Sequence, residues 1–246
     1  MTKENRYECI IYRFVDDIKI YDVLNNYQIN GIAWAHNYIM AHGAKRAGKC
    51  EYLKCIVMVS RQQYDRYIDD DIIDKCTYAY NIVESSSIEE SKSSETLPVV
   101  TYTGALVNVK GFHILAKCWK KILKKVPDAQ LYVIGTGNLY NENINLGKYK
   151  IAEEGYEKLF IPYLLDKNGN IDKSVHFMGK MGQEKREIYI KSRVGIINPS
   201  ARTETFGLGA VELQSYGVPV VLKNKNGFPD IVKNNKTDYL FRNIKM

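Results

Sequence analysis

The sequence predicts an α/β protein built on parallel sheets. From Leu97 onward, short apolar runs alternate with stretches of helical period. Those runs are continuous rather than alternating, as strands covered on both faces require. A shorter version of the same rhythm precedes a break, Glu84-Ser-Ser-Ser-Ile-Glu-Glu-Ser-Lys-Ser-Ser-Glu95, that reads as a hinge. With 246 residues, 45% of them hydrophobic, the chain can hold two small domains, 1–95 and 96–246.

In the first half, apolar runs at Glu8–Val15, Ile29–Ala35 and Leu53–Ser60 read as strands, and Asp16–Tyr27, Asn37–Ala47 and Gln62–Ile68 as helices. In the second half, strands are expected at Val99–Thr103, Gln130–Ile134, Val175–Met178, Val194–Ile197, Val218–Leu222 and Tyr239–Phe241. Helices are expected at Gly111–Val126, Ile151–Leu165, Gln183–Ser192, Phe206–Tyr216 and Pro229–Lys233. Leu115, Trp119, Ile122, Leu123 and Val126 form the apolar stripe of the first of these helices. Gly217 and Pro219 stop the helix that starts near Phe206, glycine just past its end and proline beyond.

The net charge of +7 favours anionic partners. Lys117, Lys120, Lys121, Lys124 and Lys125 read as the solvated face of a core-packed helix, and they also admit weak contact with an anionic membrane surface. No aromatic residues interleave with them, so no nucleic-acid partner is expected. No apolar run approaches the roughly 20 residues of a membrane helix, and no signal-peptide core follows Met1. Five cysteines without a CxxC suit free thiols in a reducing cytoplasm. Cys50, Cys55, His36 and His42 match no zinc spacing, and no metal is expected.

The segment Asn198-Pro-Ser-Ala-Arg-Thr-Glu204-Thr-Phe-Gly207-Leu-Gly-Ala-Val-Glu212 sets two glutamates eight apart around a strand-to-helix turn. A helix start offers unpaired N–H groups and the positive end of its dipole, a seat for a phosphate or sugar hydroxyl. Glu204 falls in the turn and Glu212 about two turns inside the helix. Lys110-Gly111, after the first strand of the second half, adds a cation where glycine permits close approach. Gly43-Ala-Lys-Arg-Ala-Gly48-Lys49-Cys50 nearly spells a P-loop, but a helical pattern precedes it and cysteine replaces the hydroxyl. It reads as glycine capping of a helix. Gly135-Thr-Gly137 lacks the third glycine of a dinucleotide fingerprint and reads as a turn that lets backbone approach a nucleotide. Asp69-Asp-Asp71 reads as a solvated turn or helix end.

Together these pieces resemble glycosyltransferase family 4, the group 1 glycosyltransferases, whose GT-B fold is two facing Rossmann-like domains. The matching residues are Gly104, Lys110-Gly-Phe-His-Ile-Leu115, Pro127–Gly137, Val175–Gly179, Asn198-Pro-Ser200, the Glu204/Glu212 pair with Phe206-Gly207, Gly217–Val221, Gly227 and Pro229–Val232. Upstream, Ala33-Trp-Ala-His36-Asn37 and Cys55–Ser60 look like later strands of the N-terminal domain. The resemblance implies a retaining transfer of sugar from a nucleotide-diphosphate donor to a hydroxyl of a glycan or lipid-linked acceptor, without metal or other cofactor. It implies that Lys110 contacts the donor diphosphate, that Glu212 holds the ribose, and that Glu204 orients the transferred sugar. The amides of Thr205, Phe206 and Gly207 would bind sugar and phosphates, and His36 would lie near the reacting sugar. Three departures stand out. Ala105 replaces a usual arginine, nothing before Glu8 supplies the N-terminal glycine-rich loop, and the closing helices do not follow Phe241. The chain therefore reads as a shortened member, with an incomplete N-terminal domain. Two alternatives stay open: a glycosidase using Glu204 and Glu212, and a nucleotide-sugar-binding fragment or subunit that needs a partner chain.

Overall fold

A computed structural model describes residues 8–15, 18–84, 98–139, 141, 143–234 and 236–242. Nearly all of the Ser/Glu-rich break lies outside the described residues. The chain divides into two compact units, one of residues 1–82 with Thr203–Phe206, the other of 83–202 with 207–246.

The first unit carries a parallel sheet in the order β1 (Cys9–Arg13), β2 (Asn30–Ala35), β3 (Leu53–Met58), β4 (Cys76–Tyr78). The helices α1 (Ile18–Tyr27), α2 (Ala41–Lys49) and α3 (Arg61–Asp65) connect these strands. Leu24, Ala33, Ala47, Leu53, Ile56, Met58 and Ile72 form its core. The β4 strand was not expected, because three residues are too few to show a period. The near-P-loop string lies almost wholly inside α2, whose C-cap is Cys50, so its glycines do not cap the helix. Gly43 is buried in the helix interior instead.

The second unit is a six-stranded parallel sheet. Its strands are β5 (Val99–Thr103), β6 (Gln130–Ile134), β7 (Val175–Gly179), β8 (Ser192–Ile196), β9 (Val220–Lys223) and β10 (Tyr239–Phe241). They lie in the order β10-β9-β8-β5-β6-β7, so the order reverses between β5 and β8. In open α/β sheets that reversal marks the crevice in which ligands bind. Five helices join the strands: α4 (Phe112–Lys125), α5 (Glu154–Phe160), α6 (Lys185–Lys191), α7 (Leu208–Ser215) and α8 (Phe228–Ile231).

The interior packs Tyr102, Phe112, Trp119, Leu131, Val133 and Phe160 on one side, and Tyr189, Leu213, Val220, Leu222 and Phe228 on the other. Trp119 buries completely and donates its indole N–H to Ser174 Oγ at 3.0 Å. The lysines of α4 are exposed around that stripe, as a solvated face requires, while Val126 ends up exposed as the C-cap.

Several helices are shorter than the sequence suggests, and in α5 and α7 the reason is local. In α5, the Glu153 carboxylate caps the amides of Gly155 and Tyr156, which sets the start, and a separate 3-10 turn at Ile161–Tyr163 follows. In α7, the left-handed Gly207 (φ +106°) delays the start to Leu208, so Glu212 lies little more than one turn inside.

Gly135-Thr-Gly137 serves packing. A Cβ on Gly135 would stand 2.0 Å from the Gly104 carbonyl oxygen, and one on Gly137 would stand 2.4 Å from Ala152 Cα. Gly135 also has φ +138°. We expect Gly135→Ala to destabilise the second unit by about 2–4 kcal/mol, combining backbone strain with overpacking. The sequence holds two tryptophans, Trp34 in the first unit and Trp119 in the second. Urea unfolding followed by fluorescence in a Trp34→Phe background therefore isolates the unit concerned; a loss under about 0.5 kcal/mol would refute the close approach.

Candidate functional site

In the second unit, the loops that leave β5 and β8 meet at the carboxyl ends of the strands. The loop after β5 ends in a 3-10 turn, Asn108–Lys110, closed by Gly111 at φ +72°. A Cβ on Gly111 would lie 2.7 Å from the Ser200 amide nitrogen, so glycine is required by conformation and by space alike. Ser200 Oγ donates to the Val109 carbonyl and binds the two loops together. Lys110 is thereby fixed next to the Asn198–Arg202 loop. Ala105, where the resemblance expects an arginine, is buried and its carbonyl accepts from Tyr102 at 3.3 Å.

The Asn198–Thr203 loop is tightly wound. Asn198, Ala201 and Thr203 all have positive φ, at 40°, 55° and 55°. For Ala201, and more so for the β-branched Thr203, that conformation is costly. Hydrogen bonds hold it: Asn198 Nδ2 to the Arg202 carbonyl at 2.9 Å, the Arg202 amide to Ser200 Oγ at 2.9 Å, and Asn226 Nδ2 to the Ala201 carbonyl at 2.6 Å.

At the start of α7, a Cβ on Gly207 would meet the Phe228 ring and Ile231 Cδ1, each at 2.8 Å. The Gly207 amide makes no hydrogen bond among the described residues. Farther along α7, Glu212 Oε2 accepts from Lys185 Nζ at 2.6 Å and from the Tyr189 hydroxyl at 3.5 Å. The C-terminal part of α7 is tied down by Gln214, which donates to the buried Asp238 at 2.9 Å. Sequence reasoning missed Lys185 and Tyr189. Their spacing of four on one helix was a visible signal, but nothing in the sequence connects them to Glu212.

The other expected site residues belong to the first unit. Thr205 Oγ1 donates to the His36 carbonyl at 2.6 Å, and Ser60 Oγ donates to the Thr205 carbonyl at 2.5 Å. The Tyr38 hydroxyl donates to the Glu204 carbonyl at 3.1 Å, and burial pushes the Tyr38 phenol up to about 12. Phe206 is buried and stacks on Tyr80, ring centroids 6.0 Å apart. These bonds leave the amides of Thr205 and Phe206 without a partner among the described residues. Ser60, Tyr38 and Tyr80 were not anticipated as their supports. His36 is half-buried and stacks on Trp34 at 5.2 Å; desolvation and the Arg13 charge hold its imidazole below its ordinary pKa.

Among the described residues, no group of three or more His, Cys, Asp or Glu stands where it could hold a metal ion. All five cysteines are free thiols. No described helix is long and apolar enough to cross a membrane.

A family model described as glycosyl transferases group 1 matches residues 84–244. A sulfoquinovosyl transferase of Arabidopsis thaliana is 29% identical over 157 residues, 63% of this chain and 25% of that protein. A D-inositol 3-phosphate glycosyltransferase of Corynebacterium urealyticum is 28% identical over 142 residues, 58% of this chain and 30% of that protein. The chain thus matches only about a quarter to three-tenths of the length of these curated relatives. Among solved structures, Anabaena HepE in complex with UDP-glucose has a TM-score of 0.73 at 15% identity, covering 98% of this chain and 66% of that one. A TarM variant of S. aureus in complex with Fondaparinux, alpha-GlcNAc-glycerol and UDP has a TM-score of 0.69 at 15% identity, covering 90% of this chain and 42% of that one. The fold shared with these glycosyltransferases is the GT-B type.

The His36 environment has a pH signature. A histidine whose folded pKa is depressed contributes stability that is present above the unfolded value of about 6.5 and is lost as pH falls through that value towards the folded one. We expect the His36 ring proton resonance to titrate with a midpoint below 6.5 and to shift upward in Arg13→Gln. A midpoint at or above 6.5 would show that neither burial nor Arg13 governs the ring.

Proposed function

The chain belongs to the group 1 glycosyltransferases, and we propose that it transfers a sugar from a nucleoside-diphosphate donor to an acceptor hydroxyl with retention of configuration. The observation that carries this reading is the pairing of the Lys110 turn with the Asn198–Arg202 loop, at the point where strand order reverses. There a cation stands beside the loop that leads into a helix start with an open amide.

Breaking the anomeric C–O bond puts negative charge on the departing diphosphate and positive character on the sugar. Lys110 and the amide of Gly207, both in the second unit, would supply fixed positive potential for that developing charge, the role a metal ion plays elsewhere. Glu212 would accept hydrogen bonds from the ribose hydroxyls, and Glu204 from hydroxyls of the transferred sugar. His36, kept neutral, would face the reacting sugar through a ring able to accept or donate a hydrogen bond.

The neighbouring structures of HepE hold UDP or UDP-glucose, which makes UDP-sugars the first donors to test. The acceptor would be a glycan or lipid-linked hydroxyl, as in polysaccharide or glycolipid synthesis. The setting would be cytoplasmic, with the exposed lysines of α4 facing an anionic membrane. A second reading, a protein that binds donor but transfers poorly, is favoured by Ala105, which removes an expected cation from the diphosphate site.

Calorimetry with UDP tests the donor site. A charge-assisted hydrogen bond contributes about 1.5–3 kcal/mol, so Glu212→Ala should weaken UDP roughly 10- to 100-fold. Glu204→Ala should leave UDP affinity within about twofold, a change worth under ~0.5 kcal/mol, and should weaken only the sugar-bearing donor. Equal losses of bare UDP in the two variants would refute the division of roles. Unchanged UDP binding in a folded Glu212→Ala protein would remove the ribose assignment.

A further inference from the structure

A single oxygen of Glu212 is already engaged, and the manner of its engagement has a use. Oε2 receives Lys185 Nζ at 2.6 Å, a short charge-assisted bond, with both side chains only 29% exposed. The same oxygen lies 3.5 Å from the hydroxyl of Tyr189, a fully buried residue one turn along α6. Tyr189 is also held by its ring, which packs edge-on against Tyr216 with centroids 5.6 Å apart. The Lys185 ammonium also sits 5.7 Å from the Tyr189 ring centroid, which restrains its stem. Glu212 Oε1 makes no hydrogen bond among the described residues.

A glutamate has three side-chain torsions, and freezing them on ligand binding costs affinity. Here the bonds from Lys185 and Tyr189 of α6 restrain them in advance. A carboxylate oxygen has two lone-pair directions, so an open Oε1 can accept from both hydroxyls of a vicinal diol. We propose that Lys185, backed by Tyr189, is a positioning residue that holds Oε2 and presents Oε1 to the ribose diol of the donor. The proposal rests on the ribose role of Glu212 and adds to it a source of selectivity for ribonucleotides over their deoxy forms. Lys185 acts through Glu212 and touches no reacting atom.

The test compares UDP with 2′,3′-dideoxy-UDP by calorimetry on the wild type, Lys185→Met, Lys185→Arg and Glu212→Ala. Methionine keeps the apolar stem beside Tyr189 and removes the charge, and the thermal midpoint of each variant checks folding. For Lys185→Met the UDP dissociation constant should rise about five- to tenfold, while that for dideoxy-UDP changes less than about twofold. Lys185→Arg, which can also hold a carboxylate, should recover most of the loss. An equal loss on both ligands would mean that Lys185 merely attracts the diphosphate or supports the fold, and the proposal is then wrong. It is equally wrong if Lys185→Met keeps wild-type UDP affinity while Glu212→Ala loses it; in that case the ribose role of Glu212 survives. If Glu212→Ala itself leaves UDP binding intact, the ribose role and the positioning role fall together.

Discussion

The second unit is organised by the pairing of β5 with β8, parallel along Val99–Tyr102. Two strands so far apart in sequence can lie side by side only because β6 and β7 build outwards on one flank and β9 and β10 on the other. Inside this seam, Thr101 and Ser192 join hydroxyls at 2.6 Å. Ser192 Oγ donates its own hydrogen bond to the Ile188 carbonyl at 2.6 Å, so the buried polar pair is satisfied. Since all six strands are parallel, the seam delivers both following loops to one edge, where they diverge to opposite faces of the sheet. The Lys110 turn and the Asn198–Arg202 loop are neighbours for this reason alone.

Such a seam has to be closed at its end by irregular backbone. Left-handed Ala201 and Thr203 each cost about 1–3 kcal/mol. The bonds from Asn198, Ser200 and Asn226 offset that cost, and they lock the loop in one conformation. A site that stabilises charge by fixed dipoles gains from this rigidity, because nothing has to reorganise as the charge forms. The strain and the proposed chemistry thus share one cause: short loops forced to meet at the reversal of strand order.

How much of this was legible depends on the range of the determinant. Val99–Thr103, Gln130–Ile134 and Tyr239–Phe241 match their expected bounds because each is a short run of strand-forming residues set off from polar neighbours, although of the three only the central Val99–Thr103 is buried along nearly its whole length. The start of α7 was misplaced by two residues because Phe206 is apolar, buried and helix-compatible, while the left-handed turn at Gly207 is set by Phe228 and Ile231, some twenty residues on. Lys110 and Glu204 were visible as chemistry-bearing residues in the turns that follow strands, and Glu212 as one on the helix after the second of them. Lys185 was not: 27 residues separate it from Glu212, and only the packing of α6 near α7 joins them. The supports of the Glu204–Phe206 segment in Ser60, Tyr38 and Tyr80 are more distant still, and no local pattern announces them.

The glycines show why a motif needs its surroundings before it can be read. Gly104, Gly111, Gly135 and Gly207 all have positive φ, so conformation does not separate them. Their amides do. Gly104 donates to the Ile134 carbonyl at 3.0 Å, Gly111 to Asn108 at 3.0 Å and Gly135 to Gly179 at 2.7 Å. Gly137 likewise donates to Ile151 at 3.0 Å. Each of these glycines is committed to the fold, the two of the Gly135-Thr-Gly137 turn included. Gly207 differs, since its amide is unbonded among the described residues while its Cα is wedged against Phe228. An amide held rigidly yet left without a partner can offer a hydrogen bond to an anion at no cost to the fold. By that criterion the glycine that opens α7 is, of these five, the one whose amide is open to a ligand, and it is the one that the two glutamates flank in sequence.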